Sequence, residues 1–121
     1  MEDNLCTRRE WIQTAAAGAV TLGLTGTALA AKPISVRVVN KAGYDKIINA
    51  NKGSVIVVDC WATWCVPCRK AFPETVKMAK AYADKGVVFV SLCFDDPVKG
   101  QVPDKVKEFL VKQDAQFENL V

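Results

Sequence analysis

The stretch Ser54-Val55-Ile56-Val57-Val58-Asp59-Cys60-Trp61 constrains this chain more than any other. A near-continuous apolar run, entered from the turn residues Asn51-Lys52-Gly53, is the pattern of a strand covered on both faces, and it is expected at the centre of its sheet. A second run, Val87-Val88-Phe89-Val90-Ser91-Leu92-Cys93-Phe94, has the same character and is broken by Asp95-Asp96-Pro97. Between the two lies a helical stretch over residues 66–84. It is closed by Lys85-Gly86, with glycine where a left-handed cap is favoured. A further helix is predicted from Asp104 to about Lys112, and residues 117–121 read as the start of a strand. Upstream, the β-branched residues from Ile34 to Val39 predict a strand, and Asp45 to Ala50 one or two helical turns. Strands alternating with helices give an α/β domain with a mostly parallel central sheet, its right-handed crossovers placing helices on the sheet faces.

The first thirty residues read differently. No charged residue occurs between Glu10 and Lys32, and the run is diluted by Gly18, Gly23, Gly26, Thr21, Thr25 and Thr27 before ending in Ala28-Leu29-Ala30, a small-x-small cleavage pattern. Residues 1–30 are therefore expected to be an export signal cleaved before Ala31, and residues 31–121 the folded domain. An uncleaved anchor is the competing reading, since about 20 apolar residues cross a bilayer. Thr7-Arg8-Arg9-Glu10-Trp11-Ile12 resembles a twin-arginine signal, with an ordinary secretory signal as the alternative. Each of these routes delivers the remainder to the periplasm or another extracytoplasmic space, where disulfides persist.

Composition narrows the chemistry. The 121 residues contain no histidine, which removes the commonest general base, zinc ligand and haem ligand together. The net charge is +3, and the lysines are scattered instead of forming the basic block that a nucleic-acid partner would require. Cysteine, carboxylate and lysine are left.

Cys65-Val66-Pro67-Cys68 lies just after a buried strand and at a helix start. There the free backbone N–H groups and the helix dipole stabilise a thiolate. Cys65 is the candidate nucleophile. Cys68, one turn further on, is the candidate resolving thiol that attacks a mixed disulfide on Cys65. Pro67 suits the first helical turn, where its missing N–H is not needed. Trp64 and Pro67 are expected to shape the surface that docks a partner. Asp59, a carboxylate within a Val/Ile run, is expensive to bury without a task, and its expected work is to take the proton from Cys68 at a pKa raised by burial. Cys60 and Cys93, inside apolar strands, are expected to be small core residues. A four-cysteine zinc site is the competing idea, but strand alternation turns Cys60 away from Asp59 and the pair. Covalent haem attachment would need histidine at position 69, which is arginine.

The segment Val58-Asp59-Cys60-Trp61-Ala62-Thr63-Trp64-Cys65-Val66-Pro67-Cys68-Arg69-Lys70 resembles the active-site segment of thioredoxins, most nearly the exported TlpA/ResA-like branch. The resemblance extends over roughly residues 34–121. It implies a thioredoxin-like fold and thiol–disulfide exchange with protein partners, in the reducing direction, with electrons from a membrane donor and with neither cofactor nor metal. It further implies that Asp59 is the buried acid beneath the cysteines and that Pro73 is the kink proline. Ala71 stands where many relatives in this branch have glutamate, so that carboxylate's role is lost or passes to Asp59 or Glu74. Thioredoxin folds continue through a cis-proline loop, two strands and a helix, for which residues up to Val121 offer no counterpart. The expectation is thus an incomplete domain lacking the C-terminal strands, and a catalytically silent binding module is the rival to an enzyme.

Overall fold

The computed structural model describes residues 32–121. The expected export signal, with Arg8-Arg9 and Ala28-Leu29-Ala30, lies outside them. The elements run in the order β1 (Val36–Arg37), α1 (Lys41–Ala50), β2 (Val55–Trp61), α2 (Val66–Ala81), β3 (Val87–Cys93), α3 (Asp104–Gln113) and β4 (Glu118–Leu120). The four strands form one sheet in the order β1-β4-β3-β2, and every pairing between them is parallel. The α/β architecture with a parallel sheet expected from the alternation of runs is therefore present, in keeping with the thioredoxin-like fold that the resemblance implies.

Two features of β2 depart from the sequence reading. First, β2 lies at the sheet edge and not at its centre. It pairs with β3 along its whole length, Val55 opposite Val87 through Trp61 opposite Cys93, and has no partner on its other side among the described residues. An apolar run carries no information about how many edges of its strand are hydrogen-bonded. The inner strands are β3 and β4, and the β3 residues from Phe89 to Ser91 are all buried. Second, Cys60 is exposed, not part of the core. It alternates onto the face opposite Asp59 and Trp61, away from α2, where the described residues leave it uncovered.

The helix starts and stops follow local chemistry. α1 begins four residues earlier than expected because Asn40 caps it, its side-chain Oδ1 accepting from the Gly43 N–H at 2.9 Å. α3 ends at Asp114, in the left-handed region at φ 54°, with its backbone N–H returning to Leu110 and Val111 carbonyls. Gly86, at φ 71°, makes the left-handed turn into β3 that the sequence anticipates.

The core lies between the sheet and the α2/α3 pair. Trp61, Phe72, Val76, Cys93, Val106, Leu110 and Ala115 are buried in one cluster. Its centre is aromatic: the Trp61 and Phe72 rings meet edge to face at 5.2 Å, and Phe109 lies 4.6 Å from Trp61 and 5.2 Å from Phe72. The buried Trp61 indole N–H has no acceptor among the described residues, a penalty that this ring packing has to offset. Deeper in the sheet the buried amide of Asn119 is well served. Asn119 accepts from Ser91 Oγ at 2.9 Å and donates to the Ala115 and Phe117 carbonyls at 3.0 and 2.8 Å, which joins β3, β4 and the end of α3.

Candidate active site

The cysteine pair stands where the edge strand β2 hands over to α2. Ala62-Thr63-Trp64 leaves the strand end, the Cys65 N–H closes a turn onto the Ala62 carbonyl at 3.1 Å, and Cys65 then becomes the N-cap of α2 in an extended conformation. Its side chain makes no capping bond. The N–H groups of the first turn are thus left for whatever charge develops at the Cys65 sulfur. Pro67 falls within that first turn. Cys65 and Cys68 are joined by a disulfide with Cα atoms 5.3 Å apart.

Both cysteines are half-buried, and the residues around them are open. Trp64 is 71% exposed, Val66 54%, and Pro67 is exposed too, so an apolar rim surrounds the bridge. Cys68 packs on the aromatic core from above. Arg69, next along the helix, lies over the Phe109 ring at 5.6 Å and donates to the Thr63 carbonyl at 3.3 Å, linking the first turn of α2 to the loop before it.

Asp59 lies on the α2-facing side of β2. It is half-buried, less enclosed than the sequence implied, and its Oδ2 accepts a 2.6 Å hydrogen bond from Thr75 Oγ1. The second carboxylate oxygen has no partner among the described side chains. Pro73 sits inside α2, where it cannot donate to the Arg69 carbonyl.

A second carboxylate escaped the sequence reading. Asp95, which in the sequence reads only as a strand breaker, is 5% exposed and is held by Thr63, Cys93 and Lys105. The Thr63 N–H reaches its Oδ2 at 2.6 Å, Thr63 Oγ1 its Oδ1 at 2.5 Å, the Cys93 thiol its Oδ2 at 3.2 Å, and Lys105 Nζ its Oδ1 at 2.6 Å. Burial alone would discourage its ionisation, but Lys105, Thr63 and Cys93 outweigh that and hold it below the usual carboxylate range. The signal available in the sequence was positional: Asp95 and Thr63 follow the ends of adjacent parallel strands, and such ends meet where open α/β sheets build their sites. Burial pushes the Cys93 thiol up to about 12, and the adjoining Asp95 charge adds to the rise. Among the described residues no group of three or more cysteine and carboxylate side chains is arranged to hold a metal ion.

The thioredoxin family pattern matches residues 35–113, which takes in the strand, the bridge and α2 together. The chain belongs to the thioredoxin family. The thioredoxin-like protein YneN of Bacillus subtilis is 37% identical over 70 residues, covering 58% of this chain and 39% of YneN. The thiol-disulfide oxidoreductase ResA of Bacillus cereus is 32% identical over 66 residues, covering 54% of this chain and 35% of ResA. A crystal structure of a thioredoxin family thiol:disulfide interchange protein from Chlorobium tepidum superposes with a TM-score of 0.50 at 27% identity, covering 60% of this chain and 47% of that one. The chain thus spans about half the length of these relatives or less.

Within this thioredoxin-family site the four described cysteines fall into three environments, which alkylation separates. In the oxidised native chain iodoacetamide should modify the exposed Cys60 readily and leave Cys93 unmodified until the protein unfolds, because Cys93 is buried and its thiolate is suppressed. Peptide mass mapping before and after denaturation checks this; prompt labelling of Cys93 would contradict its place in the core.

Proposed function

We propose that this chain is an extracytoplasmic thiol–disulfide oxidoreductase that reduces disulfides in protein partners. The observation that carries the reading is the Cys65–Cys68 bridge at the mouth of α2, half-exposed within the apolar rim of Trp64, Val66 and Pro67.

In the reduced chain the Cys65 thiolate attacks one sulfur of a substrate disulfide. The substrate S–S bond breaks, a mixed disulfide forms on Cys65, and one substrate thiolate leaves and takes up a proton. Cys68 then gives up its proton and attacks the Cys65 sulfur. The second substrate thiolate leaves, and two electrons have passed from the dithiol to the substrate. A dithiol donor at the membrane restores the pair by the reverse exchange. Trp64 and Pro67 dock the partner's apolar chain beside the target disulfide.

Asp59 takes the proton from Cys68. It is on the face turned toward α2, and one of its oxygens is uncommitted. Asp59→Asn should leave alkylation of Cys65 nearly unchanged and slow release of the mixed disulfide several-fold; an unchanged release rate would reduce Asp59 to a structural partner of Thr75.

Residues 1–30 supply the export signal and residues 31–121 the mature domain. What supports this is the arginine pair and the Ala28-Leu29-Ala30 pattern, and exported protein should have the mass of a chain beginning at Ala31. Reduction of glutathione disulfide or of an insulin disulfide by the dithiol chain tests the activity itself. A pair that never exchanges would make this a binding module instead.

A further inference from the structure

The geometry points to Asp95 as the positioning residue of the disulfide loop: clamped by Lys105, it fixes Thr63 and through it the place from which Cys65 closes onto Cys68. The inference rests on the exchange reading above and adds to it a residue that lies outside the cysteine motif.

Three observations carry it. Asp95 spends both oxygens on Thr63, one on its N–H and one on its hydroxyl, so Thr63 is held by backbone and side chain at once. Thr63 is two residues before Cys65, inside the turn whose closing bond runs from the Cys65 N–H to the Ala62 carbonyl. Its own carbonyl accepts from Arg69, the residue after Cys68. A chain of contacts therefore runs from Lys105 on α3 to Asp95 after β3, on to Thr63 before the pair, and to Arg69 just beyond it. The loop carrying Cys65 and the helical turn carrying Cys68 are tied to one buried anchor.

The anchor is built to stay charged and in place. Asp95 is nearly enclosed, and the Lys105 ammonium supplies the counter-charge at 2.6 Å from Oδ1. A carboxylate so placed imposes geometry on its donors more firmly than an amide would, since charge-assisted hydrogen bonds are the stronger ones.

The consequence lies in ring closure. Forming the bridge requires Cys65 and Cys68 to be held together, and each loosening of the loop lowers the effective concentration of one thiol near the other. Loss of the anchor should therefore favour the open dithiol over the closed disulfide, and a mixed disulfide on Cys65 should live longer before Cys68 resolves it. A residue that serves only stability would lower the melting temperature and leave this equilibrium alone.

The test equilibrates the full chain with glutathione redox buffers and measures the dithiol fraction by mass after acid quenching. Asp95→Ala should move the equilibrium toward the dithiol by about tenfold, which is ~30 mV for a two-electron couple. Asp95→Asn, which keeps an acceptor oxygen, should fall between that variant and the parent. Thr63→Val changes no charge and should give a shift of about threefold in the same direction, the scale of one hydrogen bond. It also decides the matter if Asp95→Ala does not fold. Equilibrium constants for folded Asp95→Ala and Thr63→Val equal to that of the parent overturn the inference while leaving the exchange reading intact. A parent chain that does not interconvert in these buffers overturns both.

Discussion

Cys65→Ser should abolish catalytic reduction of a disulfide substrate, whereas Cys68→Ser should still attack once and then stop. The two thiols are separated by one helical turn, but their positions are not equivalent. Cys65 is the N-cap residue of α2 and its side chain makes no capping bond, so on the proposed reading the first-turn N–H groups and the helix dipole are expected to favour the nucleophile there and not at Cys68, inside the first turn. Serine at position 65 has no accessible anion near neutral pH, and turnover should fall to the uncatalysed background. Serine at position 68 leaves the first step untouched and removes the second. The chain should then accumulate a stable adduct with one substrate half on Cys65, seen as a single mass increment that dithiothreitol removes. Sustained turnover by Cys68→Ser, or an adduct on Cys68 in the Cys65→Ser chain, would reverse the assignment.

How far the site was legible depends on which physical property each residue expresses in sequence. The Cys65/Cys68 pair was plain because its meaning is local: a strand end, a proline in the first turn and a helix start all lie within a few residues. Four strands and three helices were legible for the same reason, with Gly86 marking one turn and Asp104 one helix start. What was not legible is lateral. The rank of β2 in the sheet depends on pairing between distant residues, which no periodicity encodes, and the exposure of Cys60 depends on which sheet face the helices cover, which an apolar run does not encode either. Asp95 was passed over because a carboxylate before a proline reads as a turn. Its three partners come from positions 63, 93 and 105, assembled only when β2 and β3 lie side by side. The early start of α1 has a smaller cause: Gly43 is a poor helix former, and the Asn40 cap outweighed it.

Phe72→Ala should be the most damaging single substitution in the core. Phe72 is fully buried, and it is the ring that touches the most others: Trp61 and Phe109 at 5.2 Å each and Phe117 at 6.2 Å. Removing it empties the space between α2, the end of β2 and α3, and side chains as large as Trp61 and Phe109 cannot collapse into that space without leaving their own contacts. The expected loss is ~3–5 kcal/mol, the usual range for deleting a buried phenylalanine side chain. For a small domain whose total stability is of order 5–15 kcal/mol, that is a large part of the whole. Phe72→Leu, which keeps most of the volume, should lose about 1.5 kcal/mol or less. The same ring lies one helical turn beyond Cys68, which rests on this cluster, so the loosened core should also be felt at the bridge. Urea unfolding of the oxidised chain measures the first effect as a lower midpoint at unchanged slope. The glutathione equilibrium measures the second as a shift toward the dithiol. A midpoint equal to that of the parent would show that α2 is held to the sheet by other contacts, chief among them the Thr75–Asp59 hydrogen bond. The aromatic cluster would then fill the interior without anchoring the helix that carries the site.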